Sequence, residues 1–71
     1  MLKSNQNNPL ISIIIINYNA GDYLINCVNS ILKSNYLNYE ILIVDNNSTD
    51  QSYLKCKKMN DRIKLFENKK N

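Results

Sequence analysis

The 71 residues include no histidine and no tryptophan, only one glycine and one proline, and two cysteines. Each shortage excludes something. With no imidazole and no C-x-x-C pair there is no recognisable zinc site. Two isolated cysteines, Cys27 and Cys56, give no disulfide framework and fit a reducing compartment, both reading as buried small hydrophobes. A single glycine cannot spell G-x-G-x-x-G or G-x-x-x-x-G-K-[ST], so the two common phosphate cradles are out. Long apolar runs are lacking too. Leu10 to Ile16 is far below the ~20 residues of a membrane helix, is interrupted by Ser12, and leads into Asn17-Tyr18-Asn19 rather than a small-residue cleavage site, so it is neither a membrane span nor a signal peptide. A cytoplasmic protein, free or peripheral to the inner face of a membrane, is the expectation.

Charge is modest: nine Lys and Arg against six Asp and Glu leave +3. The surplus gathers in the last third, at Lys55, Lys57, Lys58, Arg62, Lys64, Lys69 and Lys70. It can attract phosphate, but no aromatic residues interleave with it as a nucleic-acid platform requires, and nucleic acid is not an expected partner. Length limits the core, because a chain this short buries only about 60% of the surface its unfolded form exposes.

What is present is a regular alternation. After a polar, aperiodic leader over 1–8, Pro9 favours extended backbone before it. The β-branched run Ile11 to Ile16 then suits a central parallel strand buried on both faces. Asn17 to Gly21 breaks it, and Asp22 can cap a helix beginning near Tyr23 whose apolar stripe is Leu24, Cys27, Val28, Ile31 and Leu32. Ile41 to Val44 reads as a second strand ending at Asp45. Ser48 or Thr49 can cap a second helix from Asp50 to about Met59, with the thin stripe Tyr53, Cys56 and Met59. Ile63 to Glu67 reads as a third strand, and 68–71 as a tail. This pattern specifies an α/β, Rossmann-like βαβαβ unit over 9–67 with a parallel sheet in the order 3-2-1 and both helices on one face. A first strand apolar on both sides, with helices for only one, leaves the opposite face to be covered by a missing C-terminal half or a partner chain.

In open parallel sheets ligands bind at the carboxyl ends of the strands. The two loops there, Asn17 to Asp22 and Asp45 to Asp50, carry an aromatic ring, Tyr18, and the polar groups of Asn19, Asp45, Asn46 and Asn47. A tyrosine face can stack on a nucleobase while amides or a carboxylate hydrogen-bond the base edge or the ribose hydroxyls.

At these residues the chain resembles the family 2 glycosyltransferases. That family reads as an apolar strand, x-Y-N, a helix with a C-x-x-S-[IL] step, Y-x-x-x-E, a strand, and V-D-[DN]-x-S-x-D. Here those are Ile13 to Ile16, Asn17-Tyr18-Asn19, Cys27 to Ile31, Tyr36 to Glu40, Ile41 to Val44 and Val44 to Asp50. The resemblance implies the N-terminal part of a GT-A fold that binds a nucleotide-diphosphate sugar, with UDP- or dTDP-sugars expected, and transfers the sugar to an acceptor. It implies nucleotide-binding roles for Tyr18, Asn19, Asp45 and Asn46, with Tyr18 at the base and Asp45 and Asn46 reading the base edge and ribose. It also implies a divalent cation, Mg or Mn, held by a D-x-D pair, and a later general base. Neither motif occurs in these 71 residues, so a fragment with no catalytic residue of its own is expected. The V-D-N-x-S variant looks like the rhamnosyltransferase-like branch. The alternative is a non-enzymatic α/β module or a subunit completed by a partner chain; a receiver-like domain would need acidic residues after the first strand, where Asn17-Tyr18-Asn19 has none.

Overall fold

The structure is a computed structural model and describes residues 9–69. The expected leader over 1–8 and the last two residues lie outside that range. Five elements follow in alternation: β1 (Ile11–Asn17), α1 (Asp22–Leu32), β2 (Tyr39–Asp45), α2 (Ser52–Lys57) and β3 (Ile63–Glu67). The strands form one parallel sheet in the order β1-β2-β3. The α/β architecture, strand order and strand direction are those the sequence pattern specifies.

Side chains alternate across a strand, so each strand has a helix-covered face and an opposite one. On the covered face Tyr39, Ile41 and Ile43 of β2 and Ile63 of β3 are buried with Leu24 and Val28 of α1 and Tyr53 and Cys56 of α2, while Ile13 and Ile15 of β1 pack against this cluster. Both helices therefore lie on the same face. On the other face Ile14 is 62% exposed, Ile16 68% and Phe66 53%, with Leu42 and Val44 half-buried between them. Among the described residues nothing covers it.

Several expectations need correction. The Ile11 to Ile16 run is an edge strand of the described sheet rather than a central one, because β2 alone has neighbours on both sides and β1 lacks cover on one face. Cys27 is exposed, unlike Cys56; the apolar stripe of α1 is narrower than its spacing suggests, and only Leu24 and Val28 reach full burial. The second helix spans six residues instead of about ten. Its cap is also displaced: Asp50 Oδ1 accepts from Ser52 N at 3.2 Å and Ser52 Oγ at 2.9 Å, so Asp50 rather than Ser48 or Thr49 satisfies the first turn. The helix α1 has no side-chain cap; Gly21 precedes it at φ 59° and ψ −132°. No atom lies within 4 Å of where a Cβ would stand there, so the glycine answers to backbone conformation and not to space. Among the described residues no helix is long and apolar enough to cross a membrane.

The two faces differ enough to be told apart by mutation. Ile43 has no exposed surface, so Ile43→Ala is expected to cost about 2–4 kcal/mol in cavity and transfer terms. Ile14→Ala, on the uncovered face, should cost less than about 1 kcal/mol, and urea denaturation of the two variants measures the difference.

Candidate functional site

The three strands end in step. Asn17 pairs in register with Asp45, and Asp45 with Glu67, so the connections after β1 and β2 and the segment after β3 leave the sheet at one edge. The backbone continues this alignment: Asn46 N donates to Asn17 O at 2.8 Å and Asn68 N to Asp45 O at 2.7 Å.

Asp45 closes the middle strand and is only 2% exposed. A buried charge needs several donors, and this one has them. Oδ1 accepts from Ser48 Oγ at 2.6 Å and from Asn17 Nδ2 at 2.7 Å, and Oδ2 accepts from Ser48 N at 2.9 Å. Burial pushes the Asp45 carboxyl upward, but the hydrogen bonds from the Ser48 side chain and backbone and from Asn17, with the charge of Lys69, outweigh it and hold the group below its ordinary value. Because a carboxylate only accepts, it fixes the Asn17 amide with Nδ2 toward Asp45. The second contact of that nitrogen is Ser48 Oγ at 3.2 Å, which leaves Asn17 Oδ1 buried without a partner among the described residues. Such a group costs about 1–3 kcal/mol. The loops are held together despite it.

A second set of bonds joins the loops directly. Asn19 adopts φ 51° and Asn47 φ 61°, left-handed conformations that asparagine tolerates better than most residues. In that conformation Asn19 N donates to Ser48 Oγ at 2.9 Å, and Asn19 Oδ1 accepts from Thr49 N at 2.8 Å, Asp50 N at 3.2 Å and Thr49 Oγ1 at 3.3 Å. One amide oxygen thus gathers the turn that leads to α2. Asp50 Oδ2 returns the link by accepting from Gly21 N at 3.1 Å.

Of the four residues singled out in the sequence, Asn19 and Asp45 have side chains engaged inside this network. Tyr18 is 59% exposed at the same edge. Asn46 is half-buried; its Oδ1 accepts from Asn68 Nδ2 at 3.2 Å, while its own Nδ2 has no partner among the described residues. The arrangement therefore sets an exposed aromatic ring and a half-buried amide beside a cross-linked base. Sequence reading missed Asn17, Ser48, Asp50 and Asn68. The Asp45-to-Ser48 spacing is that of a local side-chain-to-backbone turn and was available as a signal; the long-range partners are set by register. An open depression of about 460 Å³ lined by Ala20, Asp22, Tyr23 and Asn26 adjoins the first loop.

The expected divalent cation does not fit the residues present. Among those described, no group of three or more His, Cys, Asp or Glu side chains could hold a metal ion, and the Asp45 and Asp50 carboxylates already accept from N–H and O–H donors.

A parallel βαβαβ sheet with a polar double loop at its carboxyl edge defines a Rossmann-like α/β protein. The family comparison is specific: residues 12–71 match the model of glycosyl transferase family 2, and the chain belongs to that family, whose members have the GT-A fold. It is 39% identical over 69 residues to an uncharacterized glycosyltransferase of Haemophilus influenzae, covering 93% of this chain and 21% of that protein. It is 40% identical over 60 residues to the Escherichia coli UDP-Glc:alpha-D-GlcNAc-diphosphoundecaprenol beta-1,3-glucosyltransferase WfgD, covering 83% of this chain and 24% of that one. Over a shorter stretch of 43 residues it is 54% identical to the glycosyltransferase GlyG of Streptococcus pneumoniae, covering 61% of this chain and 14% of the relative. The chain thus spans between about a seventh and a quarter of these relatives. A rhamnosyltransferase does not figure among them.

The Asp45 network carries a pH signature. A carboxyl lowered from 3.8 on folding contributes stability that is present above that value and lost as pH falls through the lower folded value. Acid titration of the folded chain should therefore show a loss of stability below about pH 4 that Asp45→Asn lacks, the variant being less stable than the parent at pH 7; equal acid sensitivity in both would remove Asp45 from that role.

Proposed function

We propose that residues 9–67 form the donor-nucleotide part of a glycosyltransferase site, with Tyr18, Asn19, Asp45 and Asn46 as its nucleotide-binding residues. The observation that carries this reading is the cross-linked double loop, which holds the exposed Tyr18 ring and the half-buried Asn46 together at the carboxyl edge of a parallel sheet. Tyr18 stacks on the base and Asn46 meets its edge, while Asn19 and Asp45 keep the two loops at a fixed spacing. A rigid base of this kind lowers the ordering cost of binding. The donor is a nucleotide-diphosphate sugar, with UDP or dTDP as the nucleotide; the relative WfgD, a UDP-Glc-dependent glucosyltransferase by name, supports a uridine-type donor. Glycosyl transfer itself is proposed for the larger architecture that the relatives represent, since no residue of this chain is assigned to proton transfer or to holding a cation.

The uncovered face bearing Ile14, Ile16 and Phe66 favours an accompanying reading, in which the sheet is completed by a partner chain or a further C-terminal portion. The two readings are compatible, because the nucleotide site lies at the strand ends and not on that face.

Calorimetric titration with UDP, dTDP and GDP, with and without magnesium, tests the proposal. Heat is expected with UDP or dTDP, and substitution of Tyr18 by Ala should weaken it by about 1–3 kcal/mol, the usual worth of base stacking. Absence of heat with all three nucleotides, from a sample shown to be folded by circular dichroism, would overturn it.

A further inference from the structure

A nucleoside diphosphate carries more than one negative charge, yet the groups proposed to meet the base at the strand ends, Tyr18 and Asn46, are neutral. The carboxylates Asp45 and Asp50 are turned onto internal donors and offer nothing to an anion. Cations elsewhere on the sheet lie at its other end. Lys64 Nζ is 3.3 Å from Glu40 Oε1, beside Ser12, and the Arg62 guanidinium lies 4.8 Å from the Tyr39 ring centroid and donates to Leu37 O at 3.0 Å.

Lys69 is different. The segment after β3 is hooked to the end of β2, where Asn68 N donates to Asp45 O at 2.7 Å and Asn68 Nδ2 to Asn46 Oδ1 at 3.2 Å. That pairing holds the next residue at the same edge as Tyr18 and Asn46. The Lys69 side chain is 72% exposed, and its only ion-pair partner among the described residues is Glu67, with Nζ 3.0 Å from Oε1. Its charge is felt at the site: it helps keep the Asp45 carboxyl low, and the Lys69 ammonium is itself stabilised chiefly by the Glu67 hydrogen bond and charge.

We propose that Lys69 is the phosphate-binding cation of this site, its ammonium exchanging Glu67 for the diphosphate of the bound nucleotide. An ammonium on a flexible stem suits this exchange, since it meets phosphate as a point charge with rotatable donors and leaves only an exposed ion pair of small worth. Glu67 is then a competitor, holding Lys69 in place while no anion is bound. This assignment rests on the nucleotide-site reading above and adds to it the group that recognises phosphate.

Uridine and UDP titrated in parallel against the full chain separate the two. Lys69→Gln should weaken UDP about three- to tenfold, the range of a partly exposed charge-assisted contact, and leave uridine within about twofold. Lys69→Arg should restore most of the UDP affinity. Lys64→Gln, at the opposite end, should change neither ligand, and the Lys69 effect should shrink as salt is raised. If both ligands bind but Lys69→Gln weakens them equally, or leaves UDP unchanged, the Lys69 assignment is overturned and the nucleotide site stands. Should neither uridine nor UDP bind the folded chain, both fall.

Discussion

A carboxylate buried at the end of the middle strand is an expensive group, and the arrangement of both loops follows from how Asp45 is satisfied. Its oxygens accept from Ser48 Oγ and N on its own loop and from Asn17 Nδ2 on the neighbouring strand. The first two bonds curl the β2–α2 connection back over the strand end. The third ties that connection to β1. Once Ser48 is placed, its hydroxyl can accept from Asn19 N, and Asn19 Oδ1 can collect the amides of Thr49 and Asp50. Removal of the Asp45 charge would leave Asn17 and Ser48 with unmatched donors in a place water reaches poorly. The orphaned Asn17 Oδ1 shows that the network satisfies the charge ahead of the neutral carbonyl.

This gives a division of labour among polar residues that look alike in sequence. Asn17, Asn19 and Asn46 are all amides near strand ends, but the first orients a carboxylate, the second joins two loops, and the third accepts from Asn68 at the end of β3. Burial and register decide among them. The family match places the chain with glycosyltransferases; the local chemistry says which atoms remain available to a ligand after the loops have been held in place.

The fold was largely legible because its signals are local and repetitive. The β-branched runs Ile11 to Ile16 and Ile41 to Val44, the three-and-four spacing of Leu24, Val28 and Ile31, and the intervening turn residues each specify an element without reference to the rest. The site was legible only in part. Asp45, Asn46, Tyr18 and Asn19 stood out by residue type and position, but Asn17 to Ser48 and Gly21 to Asp50 are contacts between segments about 30 positions apart, set by the parallel register of β1 and β2. The same applies to the edge position of β1: hydrophobicity on both faces shows that both need cover, not whether cover is present. Cys27 read as buried because its spacing lies at the margin of the α1 stripe, where a rotation of a few tens of degrees separates core from solvent.

A site of this kind requires that the loops be joined before any ligand arrives. Hydrogen exchange of the backbone amides in the ligand-free chain tests this directly. The amides of Asn19, Ser48, Thr49 and Asp50 should exchange markedly slower than those of unstructured peptide, and Asn19→Ala should release Thr49 and Asp50 while the amides of β2 remain protected. Exchange of these four amides at unstructured rates in a chain whose β2 amides are protected would contradict it.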